Sequence, residues 1–221
     1  MQTASTRIPW DRIDTVLVDM DGTLLDLSFD NFFWLELVPR KYAELKGLDE
    51  AAAREDLGRR YARVAGTLPW YCLDHWSAEL DLDIPSLKRE YRHLIRYLPM
   101  VPEFLSAARA RVDRLVIVTN AHSETLAIKT EATGLDRSVD TIVCSHEFDA
   151  PKQSRAFWVE LERRLPFERR RTLLIEDSIP VLEAARDYGL AHTIAIRRPD
   201  SGRPAREIDA FAAVDGVADL V

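Results

Sequence analysis

The chain has 221 residues, 47% of them hydrophobic and 30% charged, with a formal net charge of −7 and a sequence pI near 5.3. That length holds one large domain, or one domain carrying an insertion, and the composition excludes a disordered chain. The acidic balance argues against a nucleic-acid or anionic-membrane surface, although a phosphate can still bind locally where a metal ion supplies positive charge.

The run Val16-Leu17-Val18 predicts a strand buried on both faces. It ends abruptly in Asp19-Met20-Asp21-Gly22-Thr23. Alternation along a strand sends Asp19 and Asp21 to the same side, and Gly22 permits a sharp turn with backbone open to a ligand. Two carboxylates crowded there are tolerable if a cation sits between them or one keeps its proton. The aromatic-rich stretch from Asp26 to Leu37 is expected to close at Pro39. Glu50 to Val64 predicts an amphipathic helix with Leu57, Tyr61 and Val64 on one stripe, broken by Gly66 and Pro69. Trp70 to Leu80 reads as one short helix. Ser86 is expected to cap another, with Leu87, Tyr91, Leu94, Ile95 and Leu98 sharing a face.

The second half changes character. Pro102 begins a helix to about Arg111, and Leu115 to Val118 predicts a second strand. A helix from Ser123 to Thr133 stops at Gly134, and Thr141 to Cys144 predicts a third strand. A helix from Ser154 to Leu165 turns Phe157, Trp158, Leu161 and Leu165 inward. Thr172 to Ile175 is the fourth strand, ending in Glu176-Asp177. Ser178 caps the next helix, with Pro180 in its first turn. Thr193 to Ile196 is the fifth strand, and the tail from Phe211 is weakly patterned.

Alternating strands and helices imply an α/β fold, a doubly wound, Rossmann-like parallel sheet with right-handed crossovers. The helical stretch interrupts it after the first strand. Residues 1–26 and 101–221 are therefore expected to form the catalytic core, and 27–100 an inserted helical cap over the carboxyl edge, where open α/β sheets bind ligands. Cys72 and Cys144 show neither a disulfide framework nor a metal-ligand spacing, and read as buried thiols of a reducing cytoplasm. The stretch from Met1 to Arg12 lacks the apolar core of a signal peptide, and no run is long enough to span a bilayer. The five histidines lack zincin spacing, so no zinc site is read.

Four strand ends carry polar groups to one edge: Asp19 and Asp21, then Thr119 and Asn120, then Lys152, then Glu176 and Asp177. Singly, these read as an acidic turn, a strand-to-helix turn, a surface lysine and a helix cap. In this order they resemble the four motifs of the haloacid dehalogenase (HAD) superfamily, and the resemblance spans the whole chain, helical cap included. Members that break carbon–halogen bonds lack the second acid, so Asp21 points to phosphoryl transfer. More narrowly, Asp21 to Leu27, Phe29-Asp30-Asn31, Leu37-Val38-Pro39, Trp70 to Asp74 and Thr119 to His122 resemble the bacterial GMP/IMP nucleotidases. Glu176 and Asp149-Ala150 depart from that pattern.

The resemblance implies a Mg²⁺-dependent phosphomonoesterase acting on purine 5′-nucleotides. Asp19 would be the nucleophile, and Asp21 the acid and base, its pKa pushed up by nearby carboxylates. Mg²⁺ would be held by the Asp19 and Asp177 carboxylates and the Asp21 carbonyl, with Glu176 in support. Thr119, Asn120 and Lys152 would hold the phosphate. The alternative is an HAD phosphatase or phosphomutase for another small phosphometabolite, such as a sugar phosphate or phosphoglycolate. In the cap, Trp34, Trp70, Tyr71 and Trp76 read either as a stacking platform for a purine or as the cap's own core. Arg40, Lys41 and His75 read as solvated positions that a ligand could meet.

Overall fold

The computed structural model describes residues 8–221; residues 1–7 of the polar N-terminal stretch lie outside the described residues. At its centre is β1 (Thr15–Val18), four residues buried on both faces. Around it stand β2 (Arg114–Thr119), β3 (Thr141–Cys144), β4 (Thr172–Glu176), β5 (His192–Ile196) and β6 (Ala213–Val214). The spatial order is β3-β2-β1-β4-β5-β6, and every pairing is parallel. The chain winds outward from β1 in both directions, so the carboxyl ends of β1, β2 and β4 border the crevice where ligands sit in such folds. β6 is a sixth strand absent from the expectation. Two residues give too short an alternation to read, and Ala213-Val214 is defined by pairing with Ala195 and Ile196.

Period-two alternation assigns the two faces of the sheet. Val16 and Val18 join Leu115, Ile117, Leu173 and Ile175 under α7 (Val101–Arg109). Leu17 joins Val116, Val118 and Leu174 under α9 (Arg155–Arg164) and α10 (Ile179–Tyr188). Helix α8 (Ser123–Thr133) ends at Gly134, whose φ of 69° is the left-handed stop its sequence predicts. Among the described residues no helix is long and apolar enough to cross a membrane.

Between β1 and β2 runs a helical insertion with its own apolar centre, which includes Phe33, Leu57, Tyr61, Trp76, Leu80 and Ile84. Pro39 does not close the first helix. Helical backbone continues from α1 (Ser28–Phe32) through a π-helical turn (Phe33–Leu37) into α2 (Val38–Lys46). A proline inside a helix strands carbonyls one turn back, and α3 (Glu50–Val64) supplies the missing donors. Arg54 donates to the carbonyl of Leu35, and the Tyr61 hydroxyl to that of Trp34 at 3.1 Å.

The Trp70–Leu80 stretch is two helices, α4 (Leu68–Tyr71) and α5 (Leu73–Leu80), parted at Cys72, whose backbone is extended. Helix α6 (Ile84–Glu90) is capped by Asp83, which accepts from the Ser86 amide at 3.0 Å; Ser86 is not the cap. Since α6 stops at Glu90, the expected five-residue face dissolves: Leu94 is exposed, and Leu98 packs under the sheet. Ser178 precedes α10 without a side-chain capping bond. Both cysteines are free; Cys144 is buried as expected, but Cys72 is only half-buried.

Candidate active site

At the end of β1 the backbone turns through Gly22, whose φ is +88°. A Cβ there would meet the Asp177 carboxylate at 2.9 Å, so two acids far apart in sequence require a glycine between their strand ends. Asp19 is buried, and its amide bonds the Ile175 carbonyl of β4 at 2.9 Å. Buried Lys152 reaches it from the loop beyond β3. Its Nζ donates to Asp19 Oδ1, to Glu176 Oε2 at 2.7 Å and to the Val118 carbonyl at 3.0 Å. The loop is held rigidly: Lys152 N donates to Asn120 Oδ1 at 2.9 Å, and Trp158 Nε1 donates to the Lys152 carbonyl at 2.7 Å. Asn120 thus spends its amide on this loop, its Nδ2 bonding Gln153 Oε1 at 3.1 Å.

Asp19, Glu176 and Asp177 each offer a ligand atom within 4.8 Å of the others'. Burial is the main force on all three, and it pushes each carboxyl up to about 7. Glu176 adds to the rise of Asp19, and Asp19 to that of Asp177, while Lys152 opposes it in all three. The Lys152 ammonium is itself held above its ordinary range, because Asp19 and Glu176 outweigh the opposing effect of burial. One ammonium against three acids leaves the site short of positive charge. Glu176 has both oxygens engaged, Oε1 by the Ser178 amide at 3.0 Å and Oε2 by Lys152. Asp19 Oδ2, by contrast, is buried without a hydrogen-bond partner. An all-oxygen set with a vacant buried carboxylate oxygen suits a hard divalent cation such as Mg²⁺.

Asp21 lines the same cavity as Asp19 but belongs to a second cluster. Its Oδ1 accepts from Lys129 of α8 at 2.5 Å; Lys129 also bonds Asp30 Oδ2 at 2.6 Å, and Lys88 of α6 bonds Asp30 Oδ1 at 2.8 Å. The Lys88 ammonium also stands 4.9 Å from the ring centre of Phe33 and 5.6 Å from that of Trp34. Burial, foremost, raises the Asp21 carboxyl; Asp30 adds to this, and Lys129 pulls it down. The sequence reading credited neighbouring carboxylates, and desolvation is the larger cause. Asp30, also opposed by burial, is held far below its ordinary value by Lys129 and Lys88. Both lysines were missed in the sequence. The available signal was their register: Lys88 follows Ile84 by four residues and Lys129 follows Thr125 by four, on buried stripes.

These groups line a cavity of about 360 Å³ between the strand ends and the helical insertion. Thr119 is on its wall, its Oγ1 accepting from the Ala121 amide at 3.0 Å, which leaves the hydroxyl proton free to donate. Trp34, Trp70, Tyr71 and Trp76 face it from the insertion. Trp34, Trp70 and Trp76 each pack edge-on against Tyr61, Trp70 also against Trp76, and Trp76 is buried with its Nε1 on the Trp70 carbonyl at 2.9 Å. The core reading holds for Trp34, Trp70 and Trp76, which also stand on the cavity wall. Arg40 is exposed and Lys41 pairs with Glu44 at 2.9 Å, away from the cavity lining.

The sequence profile of the haloacid dehalogenase-like hydrolases matches residues 13–189. The chain belongs to that family. It is thus an enzyme of the HAD class, with the six-stranded parallel sheet of that fold. It is 41% identical over 197 residues to the GMP/IMP nucleotidase YrfG of Escherichia coli (strain K12), an alignment covering 88% of each chain. In structure it is similar to an HAD phosphatase from Thermococcus onnurineus, with TM-score 0.78 and 21% identity, over 94% of this chain and 95% of that one. It also resembles the L-2-haloacid dehalogenase of Xanthobacter autotrophicus, with TM-score 0.65 and 16% identity, over 94% and 96%. At such identities these two likenesses describe the HAD fold alone.

Proposed function

We propose that this HAD-family phosphatase is a Mg²⁺-dependent phosphomonoesterase of purine 5′-nucleotides, GMP and IMP foremost. The observation that carries the reading is the charge-deficient group at the strand ends: buried Asp19 and Glu176, half-buried Asp177, one buried lysine, and an Asp19 oxygen without a partner beside a ligand-sized cavity. The YrfG relative supports the nucleotide part. Residues 27–100 act as a cap over a core of residues 1–26 and 101–221. Two free thiols support a reducing, cytoplasmic setting.

Asp19 and Asp177 would hold the ion with the Asp21 carbonyl, and Glu176, fixed by Lys152 and the Ser178 amide, would support them. Bound there, Mg²⁺ supplies charge neutralisation for the carboxylates and the phosphate. The Asp19 carboxylate attacks phosphorus, the ester P–O bond breaks, and an aspartyl-phosphate forms. Asp21 gives its proton to the leaving oxygen, then takes one from the water that cleaves the phosphorus–Asp19 bond. Lys152 steadies Asp19 and offsets the negative cluster; Thr119 donates its hydroxyl to a phosphoryl oxygen. Asn120 acts through the Lys152 loop it holds. The aromatic wall of Trp34, Trp70 and Tyr71 receives the base.

Phosphate release across a panel of nucleotides, sugar phosphates and phosphoglycolate, with and without a chelator, tests this. GMP and IMP lead the panel and the chelator removes activity if the reading holds. Equal or better turnover of the non-nucleotide esters overturns the nucleotidase assignment, and transfer to a second hydroxyl in place of release overturns the hydrolase.

A further inference from the structure

Beside the cavity, two helix starts approach each other. Cys72 stands at the N-cap of α5 and His122 at the N-cap of α8, and neither side chain caps its helix. Cap positions usually hold Ser, Thr, Asp or Asn to accept amide hydrogens, so these two residues are placed for something else. With Asp74 they gather a thiol, an imidazole and a carboxylate, one ligand atom of each within 4.8 Å of the others. His122 Nε2 stands 3.9 Å from Asp74 Oδ2, too far for a hydrogen bond. The other nitrogen of that ring, Nδ1, is buried without a partner. So is Nε2 of His146, whose ring meets His122 edge-on with centroids 5.1 Å apart.

This donor set differs in kind from the oxygens at the strand ends. One sulfur, one nitrogen and one oxygen match four-coordinate Zn²⁺, whose ligand atoms stand about 3.3–3.8 Å apart, within reach of small side-chain rotations here. Sequence spacing hid the set, because the thiol and carboxylate lie 48 or more residues before the histidine. Cys72 and Asp74 belong to the insertion, His122 to the loop after β2. Tyr71 and Leu73, on either side of Cys72, line the cavity, as do Asn120 and Ala121 just before His122. An ion here would join the two walls of the cavity at its margin. Asp74 is exposed, so the ion reaches the site from solvent.

We propose that Cys72, Asp74 and His122 form a second metal site, for a borderline-soft divalent cation of the Zn²⁺ type, which clasps the helical insertion to the sheet edge. Water takes the fourth position. Binding forms a metal–sulfur bond and releases the thiol proton to solvent, with no change in oxidation state. The inference is independent of the reaction proposed above.

Co²⁺ is the probe, because a thiolate bound to it gives a sulfur-to-metal charge-transfer absorption that carboxylate sites lack. The reduced full chain, in excess Mg²⁺, is titrated with Co²⁺ and then with Zn²⁺. The expected result is a charge-transfer band that saturates at a single ion per chain and bleaches as Zn²⁺ displaces Co²⁺. Cys72→Ser removes the band, and Cys144→Ser keeps it. Asp74→Asn, at an exposed position with no part in the fold's core, weakens Co²⁺ binding by about tenfold or more and shifts the visible bands. No band in the parent chain, a band surviving in Cys72→Ser, or parental affinity in Asp74→Asn would overturn the site. Each of those results leaves only an Asp74–His122 contact beside an uninvolved thiol.

Discussion

Two buried charge clusters face the same cavity, and they are balanced differently. On the insertion side, Asp21 and Asp30 meet Lys129 and Lys88, two acids against two ammonium groups, with direct bonds linking them in a chain. At the strand ends, Lys152 pairs with Asp19 and Glu176, and Asp177 stands beside them without a bond to that ammonium. Arg206, 3.7 Å from Asp177 at the rim, opposes the rise of that carboxyl, and two cations still stand against three acids. A closed cluster satisfies itself and fixes geometry, whereas a deficient one is stable only with a guest of positive charge or with extra protons. The contrast separates a balanced group, which fixes Asp21 in place, from a deficient group at the strand ends, which is short of positive charge.

The sharpest way to break the contrast is at the deficient cluster. Asp19→Asn is expected to reduce phosphate release to the uncatalysed background, because it removes the carboxylate that attacks phosphorus. Lys152→Met comes next. It strands Asp19 and Glu176 without their ammonium, which costs about 3–5 kcal/mol of stability and on the order of a hundredfold or more in turnover. Denaturant unfolding together with single-substrate kinetics reads both. In the balanced cluster, Asp30→Asn leaves two buried lysines facing Asp21 alone. A stability loss of similar kind is expected there, with a smaller loss in turnover than Lys152→Met. Equal kinetic damage from both would erase the distinction.

The pH dependence sharpens it further. In metal-free protein the folded-state carboxyls of Asp19 and Asp177 lie near 7 against an ordinary 3.8. The folded state therefore binds their protons more tightly than the unfolded chain. Their stabilising contribution is complete below pH 3.8 and is lost as pH rises through about 7, by at most ~1.4 kcal/mol per pH unit for each group. Asp30 has the opposite sign: held low by Lys129 and Lys88, it contributes above the ordinary carboxylate value and loses that contribution in acid. Thermal unfolding in a chelator should thus show stability declining toward neutrality, and Mg²⁺ should flatten the decline. A metal-free profile that rises steadily to pH 7 would contradict the raised carboxyls.

Much of this was readable in the sequence where local physics decided the matter. Strands β1 to β4 are short apolar runs that end in polar pairs. Helix α3 begins one residue after Asp49, which caps it through the Ala52 amide at 2.9 Å. Gly134 stops α8 as its type predicts. What escaped depended on partners distant in sequence. Pro39 continues a helix because Arg54 and Tyr61 receive the carbonyls it frees. Lys88 and Lys129 read as solvated until the fold buries them around Asp30. Asp83 and Ser86 are both respectable caps, and Pro85, placed in the first turn of α6, favours the earlier one. The motif residues of the strand ends were legible because strand order alone brings them to one edge.

The most direct test of the account is calorimetric titration of Mg²⁺ into the metal-free chain at about pH 8, above the raised carboxyl range. The account predicts a single binding event per chain that Asp177→Asn abolishes and Asp30→Asn retains. Mg²⁺ binding that survives in Asp177→Asn, or disappears in a folded Asp30→Asn chain, would contradict it.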